Sequence, residues 1–307
     1  MKRVLITGAS GFIGRHCLPF LVAKDYEVHA VSSSGATVDM PGVRWHEADL
    51  LESAEVSMLL ATVRPTHLLH LAWLATPGKF WTSSINLRWV QASLDLLQAF
   101  EVNGGERVVM AGSCAEYSWQ DGYCSEADTP LVPATLYGAS KHALQCMLKA
   151  FAAQSQLSAA WGRVFFLYGP HEHRDKLMSY VIRSLLRRES AGVTDGNQVR
   201  DFLYVEDVAE AFVALLESNV SGPVNIASGK PIAVKQMITA VADLLDASQL
   251  VQWGSIQPPA NEPKLLVANV ERLTNEVGWS PRWELEKGLK ETINWWKGQL
   301  AVEESRT

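Results

Sequence analysis

The chain has 307 residues, 48% of them hydrophobic and 20% charged. That is ample material for a buried core and excludes a disordered chain. Lysine and arginine total 27 against 33 acids, a net charge of −6, so no electrostatic case exists for nucleic acid or an anionic membrane as partner. No run approaches the roughly 18 apolar residues of a membrane span. The four cysteines (Cys17, Cys114, Cys124, Cys146) contain no C-x-x-C pair and are too few to staple a chain of this length. The opening MKRVLITGASGFIG has too short an apolar stretch for a signal peptide. Together these features predict a cytoplasmic protein.

In chain order, VLIT (4–7) reads as a short strand, wholly apolar as a parallel strand buried on both faces should be. A glycine turn, a helix from Phe12 to Ala23 and a strand EVHAVS (27–32) complete a β-α-β unit. Strands are predicted at 67–72, 107–112 and 161–167, with helices at 83–100 and 137–154 between them. This alternation predicts an α/β fold with a Rossmann-type doubly wound parallel sheet. Beyond Tyr168, helices near 176–188, 207–218, 234–246, 270–277 and 286–298 alternate with short strands and turns such as IQPPANEP (256–263). They predict a smaller α/β domain. The closing VEESRT reads as a frayed, solvated tail.

Three motifs carry chemistry. Gly8, Gly11 and Gly14 lie between strand one and helix one, where they permit a tight turn, close approach of a pyrophosphate and close helix–strand packing. Strand two of an NAD protein usually ends in an acid that binds the adenosine ribose; Ser32, Ser33 and Ser34 stand there instead. Hydroxyls with no carboxylate to repel a 2′-phosphate favour NADP(H), although no arginine lies in the loop, and an ordinary Ser-rich turn suits either cofactor. Tyr137 and Lys141 sit four apart on one helix face, downstream of Ser113 at the end of an apolar strand. A neighbouring cation stabilises phenolate, so the pair predicts a Tyr137 pKa lowered from about 10 to near 7 and a role in proton exchange.

These residues resemble the extended short-chain dehydrogenase/reductase family, the nucleotide-sugar-modifying NAD-dependent epimerases and dehydratases, over nearly the whole chain. TGASGFIG, ADL (48–50), LLHLAW (68–73), GSCAEY (112–117), YGASK (137–141), GRVFFLYGP (162–170), DGNQVRDFLYVEDVA (195–209), VNIASG (224–229) and GWSPRWELEKGL (278–289) are similar to its motifs in order and spacing. The resemblance implies catalysis by Ser113, Tyr137 and Lys141. It implies a cofactor surface of Gly8, Ser10, Gly11, Phe12, Ile13, Gly14, Ser32, Ser33, Asp49, Leu50, Leu71, Ala72, Trp73 and Asn86, with Tyr137 and Lys141. Cys114, Ala115, Lys176, Leu177 and Arg200 would meet the substrate, Arg200 through a diphosphate. It also implies a Rossmann domain of 1–170 plus 202–229 and a sugar-nucleotide domain of 171–201 plus 230–307. The family pairs its two long helices into a homodimer, here through Leu94, Leu97, Leu144 and Leu148.

Three departures shape the reading. Cys114 and Ala115 replace the Asp-Glu that follows the catalytic hydroxyl in the family's dehydratases, which argues against elimination. Phe166 stands where the family has an asparagine that touches the diphosphate, and the acid of strand two is absent. The leading expectation is NADP(H)-dependent reduction of a keto group, at C4, on a nucleotide-linked deoxysugar. The alternative is a nucleotide-sugar 4-epimerase with tightly bound NAD(H), and a remote third is a non-catalytic cofactor sensor. Cys114 and His171 invite an acid–base pair but read better as an inert buried thiol and a loop histidine. Trp279, Trp283, Trp295 and Trp296 read as core of the smaller domain. No metal-ligand spacing is present.

Overall fold

The computed structural model describes residues 2–35, 37–120, 122–259 and 262–305. In chain order the first half contains β1 (Arg3–Thr7), α1 (Gly14–Ala23), β2 (Glu27–Ser32), β3 (Val43–Glu47), α2 (Ser53–Val63), β4 (His67–His70), α3 (Ile85–Val102), β5 (Arg107–Ser113), β6 (Tyr123–Cys124) and α4 (Leu136–Ser155). The rest comprises β7 (Ser158–Val164), β8 (Phe166–Tyr168), α5 (Leu177–Leu186), β9 (Ala191–Gly192), β10 (Val199–Tyr204), α6 (Val205–Glu217) and β11 (Gly222–Ile226). After these come β12 (Pro231–Ala233), α7 (Val234–Leu244), β13 (Val251–Gln252), β14 (Leu265–Ala268) and α8 (Leu285–Glu304).

Seven strands form one parallel sheet in the order β11-β7-β5-β4-β1-β2-β3. The order reverses between β1 and β4, so the carboxyl ends of those strands open a crevice there. Both faces are covered, which is why the strands read as continuous apolar runs. Side chains alternate accordingly: Val4, Ile6, Val28 and Val109 pack against Cys17, Leu18, Val208 and Phe212 of α1 and α6. Leu5, Val31, Val108 and Met110 pack against Val56, Leu60, Leu96 and Leu144 of α2, α3 and α4. Each such side chain contributes about 1.5–3 kcal/mol by leaving water.

A second sheet, β12-β10-β14-β6 with β8 beside β10, continues from β7 through Phe165. A third core joins α5, α7 and α8 through Met178, Ile182, Met237, Ile238, Leu289 and Ile293. Trp283, Trp295 and Trp296 belong to it, as the sequence predicts. Trp279 does not: it packs in the core of α1 and α6, and its indole N–H donates to Glu210.

Other expectations need correction. β3 and α2 have no counterpart in the sequence reading; β3, Val-Arg-Trp-His-Glu, has no fully buried residue and lacks the apolar signature of the inner strands. The strand expected at 161–167 is two, β7 and β8, which serve different sheets. The helix expected at 270–277 is a single π turn, Arg272–Glu276. Of the closing VEESRT, Val302 to Glu304 extend α8, exposed as expected, and Arg306 and Thr307 lie outside the described residues. Within IQPPANEP, Ala260 and Asn261 also lie outside them. Leu97, Leu144 and Leu148 are fully buried against the sheet and Leu94 is partly so, so these four leucines do not form an association surface.

Glu172, between β8 and α5, is a buried carboxyl that accepts from the Ser179 hydroxyl at 2.9 Å. Burial pushes its pKa up to about 7 from the ordinary 4.5. A raised native pKa means stability present at low pH and lost as pH rises from about 4.5 to about 7. Glu172→Gln should therefore raise Tm by a few degrees at pH 8, with the gain vanishing near pH 4. Thermal melts at the two pH values check this; an equal gain at both would contradict it.

Candidate active site

The turn from β1 to α1 is shaped by two glycines. Gly8 has φ +67°, and a Cβ there would lie 2.8 Å from the Ala72 nitrogen and 2.9 Å from the Leu71 carbonyl carbon. A Cβ on Gly14 would fall 2.2 Å from the Gly8 oxygen. Only glycine lets α1 start this close to the ends of β1 and β4. No side chain caps the first turn of α1, so its positive end is left to an anion such as a pyrophosphate. Phe12 and Ile13 form this turn, half-buried. Arg15 braces it, donating to the carbonyls of Ser10 at 2.6 Å and Gly11 at 3.3 Å.

Ser32, Ser33, Asp49 and Leu50 gather beside it at the ends of β2 and β3. Ser32 is buried, Ser33 exposed, and Leu50 packs inside. The Asp49 carboxylate accepts from the Leu51 N–H at 2.9 Å. The expectation that no carboxylate stands near fails: β3 places Glu47 directly beside Ser32. A Cβ on Gly35 would lie 3.5 Å from Glu47 Oε2. A carboxylate thus stands at the end of β2, brought there by the neighbouring strand.

Ser113 ends β5, and Tyr137 and Lys141 lie on the first turns of α4, which Thr135 caps by accepting from Gly138. Tyr137 and Ser113 are brought together: burial pushes the Tyr137 phenol up, and a hydrogen bond from Ser113 opposes that shift. The expected fall toward 7 is thus not present, because burial outweighs every neighbour. Lys141 Nζ donates to the Ala111 carbonyl at 2.8 Å and lies 3.7 Å from the Trp73 ring centroid. Burial lowers its pKa to about 7, opposed by the charge of Glu116. Behind it His70, fully buried between Thr7 and Ser93, is held neutral by burial and by Lys141, at about 3.

The loop after β4 closes over Tyr137 with Phe80 at 4.9 Å, Trp81 at 5.7 Å and Trp73 at 6.5 Å, all edge-on. The Tyr137 N–H donates to the Trp81 carbonyl at 3.1 Å. The sequence reading missed Phe80 and Trp81; aromatic residues clustered in a loop between a strand and a helix were the available signal. Asn86 is corrected by the same geometry. It is fully buried, accepts from Trp73 and donates to the carbonyls of Phe80 and Ser83, so it braces this loop and offers no free group to a cofactor.

Of the residues expected to meet a substrate, Lys176 Nζ lies 5.2 Å from the Phe80 ring and Leu177 opens α5, exposed. Cys114 and Ala115 form one tight turn after Ser113, both buried. Burial pushes the Cys114 thiol up, which keeps it protonated and inert. His171 is not its partner: its ring packs on Trp295 and its Nδ1 bonds Arg15. Arg200 is almost wholly buried; it lies over Phe166 and is engaged by Glu262 and the Val199 carbonyl. Among the described residues no cluster of metal-ligating side chains occurs, and no helix is long and apolar enough to cross a membrane. A hollow of about 630 Å³ opens elsewhere, between α4 and the β7–β11 edge, away from Tyr137.

Comparison with known proteins places this geometry. A profile of the NAD dependent epimerase/dehydratase family matches residues 4–227. A UDP-glucuronate 4-epimerase from Thermodesulfobacterium geofontis is 25% identical, covering 98% of each chain. The structure of MoeE5 with UDP-glucuronic acid and NAD is 31% identical with a TM-score of 0.84, covering 97% of this chain and 99% of that one. TunA, an NAD-dependent NDP-hexosamine 5,6-dehydratase, is 30% identical with a TM-score of 0.83, covering 97% and 98%.

Removing the Tyr137 hydroxyl isolates its role. Tyr137→Phe should lower turnover at least the roughly 10²-fold typical of a lost general acid–base group, while dinucleotide affinity measured by calorimetry stays within about threefold, below the tenfold that 1.4 kcal/mol would produce. Near-parental turnover would remove Tyr137 from the chemistry.

Proposed function

This chain belongs to the NAD dependent epimerase/dehydratase family, and from that premise we propose that it is a nucleotide-sugar 4-epimerase that keeps NAD(H) bound. The observation that carries the reading is the grouping of Ser113, Tyr137 and Lys141 beside the glycine cradle, with Cys114 and Ala115 offering no second acid or base. Elimination across C5–C6 needs such a second group to move a proton. Oxidation and reduction at C4 do not.

When bound, the dinucleotide supplies a hydride acceptor and donor. Tyr137 Oη removes the proton of the C4 hydroxyl and returns it. Ser113 Oγ would donate to the same oxygen, and Lys141 would bind the nicotinamide ribose. The aromatic loop of Trp73, Phe80 and Trp81 excludes water from the reacting oxygen. Lys176, Leu177 and Arg200 face the nucleotide and diphosphate, with Glu262 yielding Arg200 when a substrate arrives. The substrate is a nucleotide-linked hexose or hexuronic acid; the relatives above are named for UDP-glucuronate and for an NDP-hexosamine.

NAD(H) rather than NADP(H) is supported by Glu47, whose charge beside Ser32 accepts ribose hydroxyls and repels a 2′-phosphate. A division into a Rossmann unit of 1–170 plus 202–229 and a substrate unit of 171–201 plus 230–307 is supported by the core of Leu5, Leu60 and Leu96, which lies wholly within the first, and by that of α5, α7 and α8, which lies mainly in the second; Leu273 and Trp279 cross it. A homodimer through α3 and α4 would rest on exposed Leu87 and Met147, and the reaction would take place in the cytoplasm.

Incubation with a panel of UDP-hexoses, followed by NMR of the products, tests the assignment. The expected result is interconversion of C4 epimers with no net change in nicotinamide absorbance. Stoichiometric consumption of NADPH with a keto sugar would establish the reductase instead, and loss of water a dehydratase. Glu47→Ser should shift cofactor preference toward NADP(H) by about tenfold or more, the equivalent of at least 1.4 kcal/mol. An unchanged ratio would remove Glu47 from cofactor choice.

A further inference from the structure

Glu116 is a wholly buried acid that the reaction above does not use. Its Oε1 accepts from the backbone N–H of Ser113 at 2.7 Å. The Trp161 indole N–H reaches both carboxylate oxygens, at 2.9 and 3.1 Å, and Arg163 Nε donates to Oε2 at 2.8 Å. Arg163 is itself fully buried and donates through Nη1 to Tyr117, whose hydroxyl donates to Asn225 Oδ1 at 2.8 Å. Room for this arrangement is made at Gly112. A Cβ there would stand 2.1 Å from Trp161 Nε1 and 2.6 Å from Glu116 Oε1.

Three donors therefore converge on one carboxylate from three directions, and one of them is the main chain of the catalytic serine. A buried ion pair is weak evidence for stability, because apolar replacements often do as well. What apolar residues cannot do is fix a backbone N–H in direction. The Ser113 hydroxyl also accepts from the Ala115 N–H at 3.2 Å, closing a reciprocal cap over residues 114–116. Its orientation is thus locked from both ends of one short turn.

We propose that Glu116 is the positioning residue for Ser113: anchored by Arg163 and Trp161, it holds the serine so that its hydroxyl meets the substrate oxygen beside Tyr137. The role rests on the 4-epimerase reading for its kinetic consequence only. Glutamine at 116 would turn an N–H toward one of the three donors and break that bond, loosening the turn without removing volume. A loosely held hydroxyl loses an interaction that strengthens in the transition state, so kcat falls while KM stays.

A double-mutant cycle tests it on the holoenzyme. Glu116→Gln should lower kcat about 10- to 100-fold with KM for the sugar nucleotide within about twofold. In a Ser113→Ala background the same change should alter kcat less than about twofold, since the group it positions is gone. Equal factors in both backgrounds would overturn the proposal, as would an unchanged kcat. Should Glu116→Gln fail to fold, Trp161→Phe removes one donor and keeps the ion pair; the same cycle and the same outcomes apply. If the parent turns over no sugar nucleotide, the 4-epimerase reading fails separately. Exchange of the Ser113 amide proton, followed by NMR, then decides for Glu116: slow in the parent and faster in Trp161→Phe supports it, equal rates overturn it.

Discussion

The contact on which the rest of the site depends is steric: the Gly14 Cα against the Gly8 oxygen, where a methyl group would come within 2.2 Å. It lets α1 begin immediately beyond β1, next to Leu71 and Ala72 at the end of β4. The crevice between β1 and β4 is thereby floored with backbone and left open. Ser113 on β5 and the first turns of α4 stand at the rim of the same crevice. The sheet order would bring a cofactor lying over the glycines toward Tyr137.

Charge is handled differently on the two sides of that crevice. Around Tyr137 the protein removes water and leaves few charges: His70 is neutral, Cys114 is protonated, and burial draws Lys141 down to about 7. The phenol is correspondingly pushed up. A cation bound beside the phenol would oppose that shift; the side chains present do not overcome it. Beside Phe166, Arg200 is kept satisfied by Glu262, which spares a buried guanidinium the cost of lacking a partner.

Much of this was legible in the sequence because the relevant residues act locally. The glycine turn, the Tyr137–Lys141 spacing and Ser113 at a strand end are each set within one turn or strand, and the apolar runs of the inner strands announced a sheet covered on both faces. What escaped the sequence is set by partners distant along the chain. Glu47 reaches Ser32 only through β3, a polar edge strand without an apolar run to betray it. Glu262 meets Arg200 across 62 residues, and Trp161 meets Glu116 across 45. Asn86 was misread because its family position was visible, whereas its engagement by Trp73, Phe80 and Ser83 was not. The leucines of α3 and α4 have a helical spacing that suits a partner helix and a sheet equally, and burial decides for the sheet.

The central claim is that hydride leaves and returns to the same carbon without exchange of cofactor. The most direct measurement uses a UDP-hexose carrying deuterium at C4, incubated with the enzyme and followed by NMR and mass spectrometry. The account predicts that the C4 epimer formed retains the deuterium in full, and that added unlabelled NADH does not dilute it. Loss of the label to the cofactor pool, or its persistence in a product that has lost water or carbon dioxide, would contradict the account.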